Sequence, residues 1–163
     1  MVLSVSMAVY ERSTVVSAPL EDVWDFHSTI DGLLALTPGW MNMRVEAVRG
    51  PDGEPDPEVL EAGAEVDMAL RPLSVVPRQS WTSRIVERER GEATAQFRDE
   101  MRDGPFRRWL HTHRFEAVEG GTRITDHVEY ELGRPLGALS GLVWPGFEAM
   151  FAHRHRRTKT HLE

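Results

Sequence analysis

Two adjacent stretches of alternating residues, between Phe97 and Leu132, constrain the fold more than any other part of the sequence. Alternate side chains of a β-strand lie on the same face of a sheet. Four residues of one stretch therefore share a face, namely Trp109, His111, His113 and Phe115. Two imidazoles between large aromatic side chains are typical of an apolar cavity with a polar patch. The pattern predicts a sheet that folds around such a cavity.

The turn residues of these stretches predict how the strands pair. Gly120 and Gly121 can adopt the positive φ angles of a two-residue hairpin, so we expect Glu119 to pair with Thr122. The pairs that follow are Phe115 with Asp126, His113 with Val128, and His111 with Tyr130. On the preceding hairpin, a pairing of Met101 with Trp109 places Asp99 opposite His111.

The rest of the chain reads as one strand, two short helices, a strand meander and one long helix. The first strand is predicted from Met7 to Val16, and two short helices follow before Pro38. Further strands are expected over 41–48, 64–70, 81–89, 92–101, 107–119 and 122–132. A helical period begins at Pro135, and Pro145 is expected to kink that helix because proline lacks a backbone donor.

Length, charge and cysteine content exclude several classes of protein. At 163 residues the chain is expected to form a single domain over 1–163. A net charge of -7 argues against a nucleic-acid partner. No signal peptide is expected, and the sequence has no apolar run of the ~18 residues that stable membrane insertion requires. The absence of cysteine removes disulfides and thiol catalysis, and it is compatible with the cytoplasmic location that we expect.

Two charged segments have alternative interpretations. The segment from Arg49 to Gly63 is rich in proline, glycine and acidic residues, and it is either a solvated insertion or a mobile gate over a pocket. The end of the long helix carries His153, Arg154, His155, Arg156, Arg157 and Lys159. We expect these residues to complement the negative helix terminus, and an anion site is the alternative.

Seven segments together resemble the ligand-binding superfamily that includes the birch-pollen allergen, START domains and the polyketide cyclase/dehydrase and lipid transport group. They are Tyr10–Ser13, Ala18–Trp24, Leu36–Pro38, Phe97–Met101, Gly104–Phe106, Trp109–Phe115 and Thr125–Leu132. The resemblance implies an α+β helix-grip fold, in which a curved antiparallel sheet of about seven strands wraps around the C-terminal helix. Within this superfamily, the chain is similar to a bacterial or archaeal subgroup whose function is unassigned.

On that fold, a cavity between the sheet and the helix is expected to bind the ligand. The predicted ligand-binding residues are Phe97, Asp99, Met101, Trp109, His111, His113, Phe115, Asp126, Val128, Tyr130, Val143, Phe147 and Met150, and Leu139 is expected to help close the cavity. The candidate catalytic residues are Asp99, His111 and His113. We expect Asp99 and His111 to form a pair, which is a structural hydrogen bond, a ligand contact or a general acid–base device.

No cofactor and no metal site is predicted, although His111 and His113 with Asp99 or Asp126 have a spacing that can hold a metal ion. Three hypotheses for function remain. The chain is a carrier or sensor for a hydrophobic small molecule such as a lipid, polyketide or isoprenoid, an aromatase/cyclase-like enzyme, or a protein-interaction module with a vestigial cavity. The first is our prediction, and the sequence does not specify the oligomeric state.

Overall fold

The computed structural model describes residues 7–75, 77–133 and 136–163, and its seven described strands form one antiparallel sheet. Its strands are β1 (Ala8–Val16), β2 (Arg44–Arg49), β3 (Glu65–Leu70), β4 (Gln79–Arg90), β5 (Thr94–Arg102), β6 (Phe106–Val118) and β7 (Gly121–Leu132). Its α-helices are α1 (Leu20–His27), α2 (Ile30–Leu36) and α3 (Trp144–Leu162). Short 3-10 helices span Gly39–Met41, Pro72–Ser74 and Leu136–Val143.

The strand order along the sheet is β1-β7-β6-β5-β4-β3-β2. Strands β2 to β7 therefore form a meander, and β1 pairs with β7 at the edge of the sheet opposite β2. The two short helices follow β1, and the long helix follows β7, as the helix-grip prediction requires. The predicted fold class is confirmed.

The two short helices begin and end at identifiable signals. Pro19 precedes α1, whose first turn carries two acidic residues that suit the positive helix end. Thr29 caps α2, because its hydroxyl accepts a hydrogen bond from the backbone N–H of Gly32 at 3.1 Å. Gly32 is required there, since a Cβ atom would lie 1.8 Å from the carbonyl oxygen of Phe26. The helices consequently pack close together at one end of the sheet.

The pairing of β5 with β6 is as predicted, but the pairing of β6 with β7 is not. Asp99 faces His111, whereas His113 faces Asp126 and Val118 faces Gly121. The expected hairpin register is therefore wrong by two residues, because the turn is centred on Glu119 and Gly120 and β7 begins at Gly121. A shift of two residues keeps each side chain on its predicted face of the sheet.

Two boundaries also differ from the prediction. Met41 lies in a 3-10 helix that ends at the left-handed residue Asn42 (φ 48°), so β2 begins at Arg44. The single kinked helix that the sequence predicts is two elements in the structure. A 3-10 helix covers Leu136–Val143, and Pro145 lies in the first turn of α3. A proline is tolerated in a first turn because its missing N–H has no intrahelical partner there. The predicted start at Pro135 lies outside the described residues.

The core consists of three clusters that leave one region of the sheet uncovered. One cluster lies beneath α1, around Trp24 and Phe115. A second joins α3 to β1 and β7, where Tyr10 stacks on Phe151 with ring centroids 5.2 Å apart. A third joins α2 to β2 and β3, around Val66. The helix α3 therefore lies directly on β1 and β7, and the curved sheet over β3 to β6 faces a cavity.

Candidate functional site

A cavity of about 360 Å³ lies between strands β3 to β6 and the helices. This volume is within the range of ~300–1,000 Å³ that is usual for small-molecule sites. Most of its lining is apolar, and the part outside α3 includes four methionines, two tryptophans and several leucines. These residues are Leu33, Leu36, Met41, Met43, Leu60, Val66, Met68, Leu70, Trp81, Ile85, Phe97, Met101, Phe106 and Trp109. The polar side chains that line it include His27, Ser83, Asp99, His111 and His113.

One stripe of α3 closes the cavity. Phe147, Met150, Phe151 and Arg154 all line it, at the spacing i, i+3, i+4 and i+7. Residues at this spacing share one face of a helix, so the four side chains face the sheet together. Three of them are apolar, and the fourth places a guanidinium group at the cavity wall.

Eight of the predicted ligand-binding residues line the cavity, and five do not. Those that line it are Phe97, Asp99, Met101, Trp109, His111, His113, Phe147 and Met150. The five that do not are Phe115, Asp126, Val128, Tyr130 and Val143. Leu139 is 49% exposed and does not close the cavity. The prediction places the correct face of β5 and β6 on the cavity, but it extends the cavity too far towards β7.

The physical reason is that core packing uses the inner face of β7. Val128 and Tyr130 are fully buried beneath α3, where Tyr130 meets Phe147 edge to face with ring centroids 4.8 Å apart. Phe115 packs against Trp24 of α1 at 5.7 Å. Val143 packs at the margin of the same α3 cluster. These side chains are covered by helices and have no free surface towards the cavity.

A buried network of two carboxylates and three imidazoles forms the polar part of the site. Asp99, on β5, accepts a hydrogen bond from Nε2 of His113 at 2.9 Å and a longer one from Nε1 of Trp109 at 3.4 Å. Asp126, on β7, accepts hydrogen bonds from Nε2 of His111 at 2.8 Å and Nε2 of His155 at 2.6 Å. Asp126 therefore connects β7 to β6 and to α3.

The expected pair of Asp99 and His111 is replaced by a diagonal arrangement. The two residues do face each other across the strands, but Nδ1 of His111 is 3.6 Å from the nearest Asp99 oxygen, beyond hydrogen-bond distance. Nε2 of His111 instead donates to Asp126, and Nε2 of His113 donates to Asp99, so each hydrogen bond runs diagonally between neighbouring strands. Diagonal neighbours on one face of a sheet are within reach of long side chains.

The electrostatics separate the two central histidines. Burial and the adjacent charge of His113 both lower the pKa of His111. Burial also acts to lower the pKa of His113, but its contacts with Asp126 and Asp99 outweigh that effect and raise it. Burial acts to raise the pKa of both carboxyl groups, yet the imidazole donors hold the pKa of Asp99 below its usual value and that of Asp126 well below it. His113 is thus the more readily protonated imidazole of the pair, and His111 the less readily protonated one.

A family profile described as polyketide cyclase / dehydrase and lipid transport matches residues 16–156. The chain belongs to this family. No curated protein matches the sequence with significance. Within the family fold, the cavity and its polar network occupy the space between the curved sheet and the C-terminal helix of this chain.

Solved structures share this fold at low sequence identity. A START superfamily protein from Mycobacterium smegmatis is 12% identical with a TM-score of 0.62, covering 94% of this chain and 96% of that chain. Ara h 8.0201 is 14% identical with a TM-score of 0.61, covering 95% and 97%. Major latex-like protein 151 from Panax ginseng is 11% identical with a TM-score of 0.63, covering 97% and 99%. At these identities the likeness shows the fold alone.

Asp99, His111 and His113 are also the described residues whose donor atoms cluster closely enough to hold a metal ion, all lying within 4.8 Å of one another. The fit to an ion is poor. The His111 and His113 rings lie 3.6 Å apart at 33°, and Nε2 of each already hydrogen-bonds to a carboxylate. His113 also stacks on Phe97 at 3.9 Å, which restrains it in this orientation. An ion would have to displace these hydrogen bonds and separate the His113 ring from Phe97.

Sequence reasoning missed three titratable residues of the site. His155 joins the network through Asp126, and Arg154 lines the cavity, although both belong to the segment expected to complement the helix terminus. Extension of the Phe147, Met150 and Phe151 stripe by one further step would have found Arg154. His27 at the end of α1 also lines the cavity; its Nδ1 donates to the carbonyl of its own helix at 2.7 Å, and burial lowers its pKa to about 3.

The acidic segment contributes one side chain to the cavity. Leu60 lines it, and the backbone N–H of Leu60 donates to the carbonyl oxygen of Ser28 at 2.9 Å. The preceding part, over 51–58, is mostly exposed and turns back on the end of β2. The segment is thus a solvated turn followed by an anchored side chain, and its role as a gate stays a prediction.

Among the described residues, no helix has the length and hydropathy to span a bilayer.

Proposed function

We propose that the protein binds a hydrophobic small molecule, such as a lipid, a polyketide or an isoprenoid, and acts as its carrier or sensor. The observation that carries this proposal is the apolar lining of the cavity between the sheet and α3. Removal of apolar surface from water contributes ~25 cal/mol per Å², so an apolar ligand gains affinity from every face that the cavity covers. Met41, Met43 and Met68 supply an adaptable surface, because methionine changes rotamer at low cost.

The first experiment is native mass spectrometry of freshly purified protein, followed by solvent extraction of any passenger. A stoichiometric hydrophobic passenger would support the proposal and would name the ligand class. If the protein carries nothing, a panel of lipids and polyketides is titrated while tryptophan fluorescence is recorded, since Trp81 and Trp109 line the cavity. The proposal fails if no hydrophobic compound binds or raises the melting temperature.

A substitution that fills the cavity tests its location. Val66 on β3 is buried and lines the cavity, so Val66→Phe is expected to weaken the binding of apolar ligands by about tenfold or more, which is ~1.4 kcal/mol. Val86 on β4 is 41% exposed and lies outside the lining, so Val86→Phe is the matched control and is expected to bind as the wild type does. Equal affinities for both variants, each folded by circular dichroism, would place the ligand elsewhere.

The polar network favours an aromatase/cyclase-like enzyme as the second candidate function. Two adjacent imidazoles with pKa values shifted in opposite directions are typical of acid–base sites. Nε2 of His111 donates to Asp126, so its Nδ1 carries the lone pair that can accept a proton from an enolisable substrate. A carrier releases its ligand unchanged, whereas an enzyme alters its mass. If His111→Ala turned over every accepted substrate at the wild-type rate, the enzymatic alternative would be rejected.

The third hypothesis, an interaction module with a vestigial cavity, is disfavoured by a cavity of about 360 Å³. The cytoplasmic location, the single domain over 1–163 and the absence of a nucleic-acid partner stay predictions of the sequence.

A further inference from the structure

Arg154 places a positive charge on the otherwise apolar stripe of α3 that closes the cavity. It follows Phe147, Met150 and Phe151 on the stripe of α3 that closes the cavity, and its side chain is half-buried. Its position on the inner face distinguishes it from Arg156, which is exposed on the same helix.

The guanidinium group of Arg154 has no protein acceptor in the part of the chain that the structure describes. No hydrogen bond and no ion pair within 4.0 Å joins it to a carboxylate there. The carboxylates of the network, Asp99 and Asp126, accept hydrogen bonds from four imidazole and indole donors instead. Several other arginines of the chain do have partners, as Arg49 has in Asp67 at 2.8 Å.

An unpaired cation at an apolar wall is energetically unfavourable. Burial lowers the pKa of Arg154, and only the more distant charges of Asp126 and Asp99 oppose that effect. A guanidinium nevertheless keeps its charge and presents N–H donors in a planar fork that matches the two oxygens of a carboxylate. His27, also in the cavity lining, is neutral and does not supply a second cation. The site therefore lacks one acceptor group, and a ligand can provide it.

We propose that the ligand is an amphipathic acid whose apolar body fills the cavity and whose carboxylate binds Arg154. This inference rests on the proposed function and specifies the class of its ligand. A monoanion fits better than a phosphate monoester, because a dianion would meet one free cation and the Asp99 carboxylate that also lines the cavity. A carboxylate can instead form a bidentate pair with the single guanidinium.

The test compares two ligands that share an alkyl chain and differ only at the head group. Dodecanoic acid and dodecan-1-ol are titrated into the full chain near neutral pH, below their aggregation concentrations, with tryptophan fluorescence and calorimetry as readouts. The wild type is expected to bind the acid about 10- to 100-fold more tightly than the alcohol, as expected for a hydrogen-bonded charge pair in a partly buried site.

Two arginine variants locate the effect. Arg154→Met keeps an unbranched apolar side chain and removes the charge, so it is expected to abolish the preference for the acid while binding the alcohol at least as well as the wild type. Arg156→Met removes the same charge from the exposed face of α3 and is expected to retain the preference.

Equal affinity of the wild type for acid and alcohol would overturn this inference and leave the proposed function intact. A preference for the acid that survives in Arg154→Met would also overturn it. Failure of the wild type to bind either compound would overturn this inference, and failure of the wider hydrophobic panel as well would overturn the proposed function. Even if Arg154→Met does not fold, equal affinity of the wild type for the two ligands still refutes the inference.

Discussion

Replacement of Asp126 by asparagine tests whether the buried network holds α3 against the sheet. Asp126 is 3% exposed; its Oδ1 accepts a hydrogen bond from His111 and lies 3.3 Å from Nδ1 of His113, and its Oδ2 accepts a hydrogen bond from His155. Asparagine retains one acceptor oxygen and turns the other atom into an N–H₂ donor. One imidazole N–H then faces another donor, and His113 loses one of its two counter-charges.

The magnitude of the effect follows from these contacts. If the His155 ring changed tautomer to accept from the amide, its proton would move to Nδ1, which is buried and has no hydrogen-bond partner among the described residues. An unsatisfied buried donor costs ~1–3 kcal/mol. Removal of one partner from a buried ion pair costs ~3–5 kcal/mol in total. For a chain of this length that loss corresponds to a decrease in melting temperature of roughly 6–20 °C.

The pH dependence gives this prediction a second readout. The folded pKa of Asp126 is depressed, so its contribution to stability is present above the unfolded value near 3.8 and is lost as the pH falls through the folded value. The folded pKa of His113 is raised, so its contribution is complete below the unfolded value near 6.5 and is lost as the pH rises through the folded value. The difference in stability between wild type and Asp126→Asn should therefore be largest near pH 5 to 6 (~1 unit below the reference pKa of histidine) and smaller on either side.

The assay is chemical unfolding monitored by circular dichroism across that pH range, on ligand-free protein. Asp67→Asn is the matched control, because Asp67 pairs with Arg49 and Thr82 at the partly exposed edge of the sheet and is expected to lose far less. The reasoning is refuted if the two variants lose equal stability, or if the loss at Asp126 is independent of pH.

Two further predictions concern single side chains outside the cavity. Gly121→Ala should destabilise the fold far more than Gly120→Ala, because a Cβ at Gly121 would lie 1.9 Å from the carbonyl oxygen of Val16. A Cβ at Gly120 would meet no atom within 4 Å, so only the positive φ of 85° opposes that substitution. Similar melting temperatures for both variants would contradict the close approach. Tyr10→Phe removes a hydroxyl that donates to Glu148 at 2.7 Å, and a loss of about 1 kcal/mol, or roughly 2–4 °C, is expected in a thermal melt.

The sequence predicts the sheet well because its signals are local. Alternation assigns each strand residue to a face, and it does so correctly for Asp99, His111 and His113. The hairpin before β7 is harder, because Gly120 and Gly121 permit more than one turn. Gly121 also approaches Val16 closely, on a strand that is adjacent in the sheet but distant in sequence, and no local turn signal shows such a contact.

The site is less predictable because it depends on where a helix lies on the sheet. Nothing in the alternation of β7 tells that Val128 and Tyr130 are covered by α3 while Asp99 and Trp109 are not. The partners within the network are also set by side-chain rotamers and not by register alone. His111 thus bonds to Asp126 although Asp99 faces it directly.

The two carboxylates of the network therefore have separate consequences for function. Asp126 lies behind the imidazoles and away from the cavity, where it joins β6, β7 and α3. Asp99 lies in the cavity wall and fixes His113 in the orientation that stacks on Phe97. A ligand in the cavity meets Asp99 and both imidazoles but not Asp126. Because His113 contacts both carboxylates, a change in the charge that the ligand presents to this wall would also act on the contact that holds α3 in place.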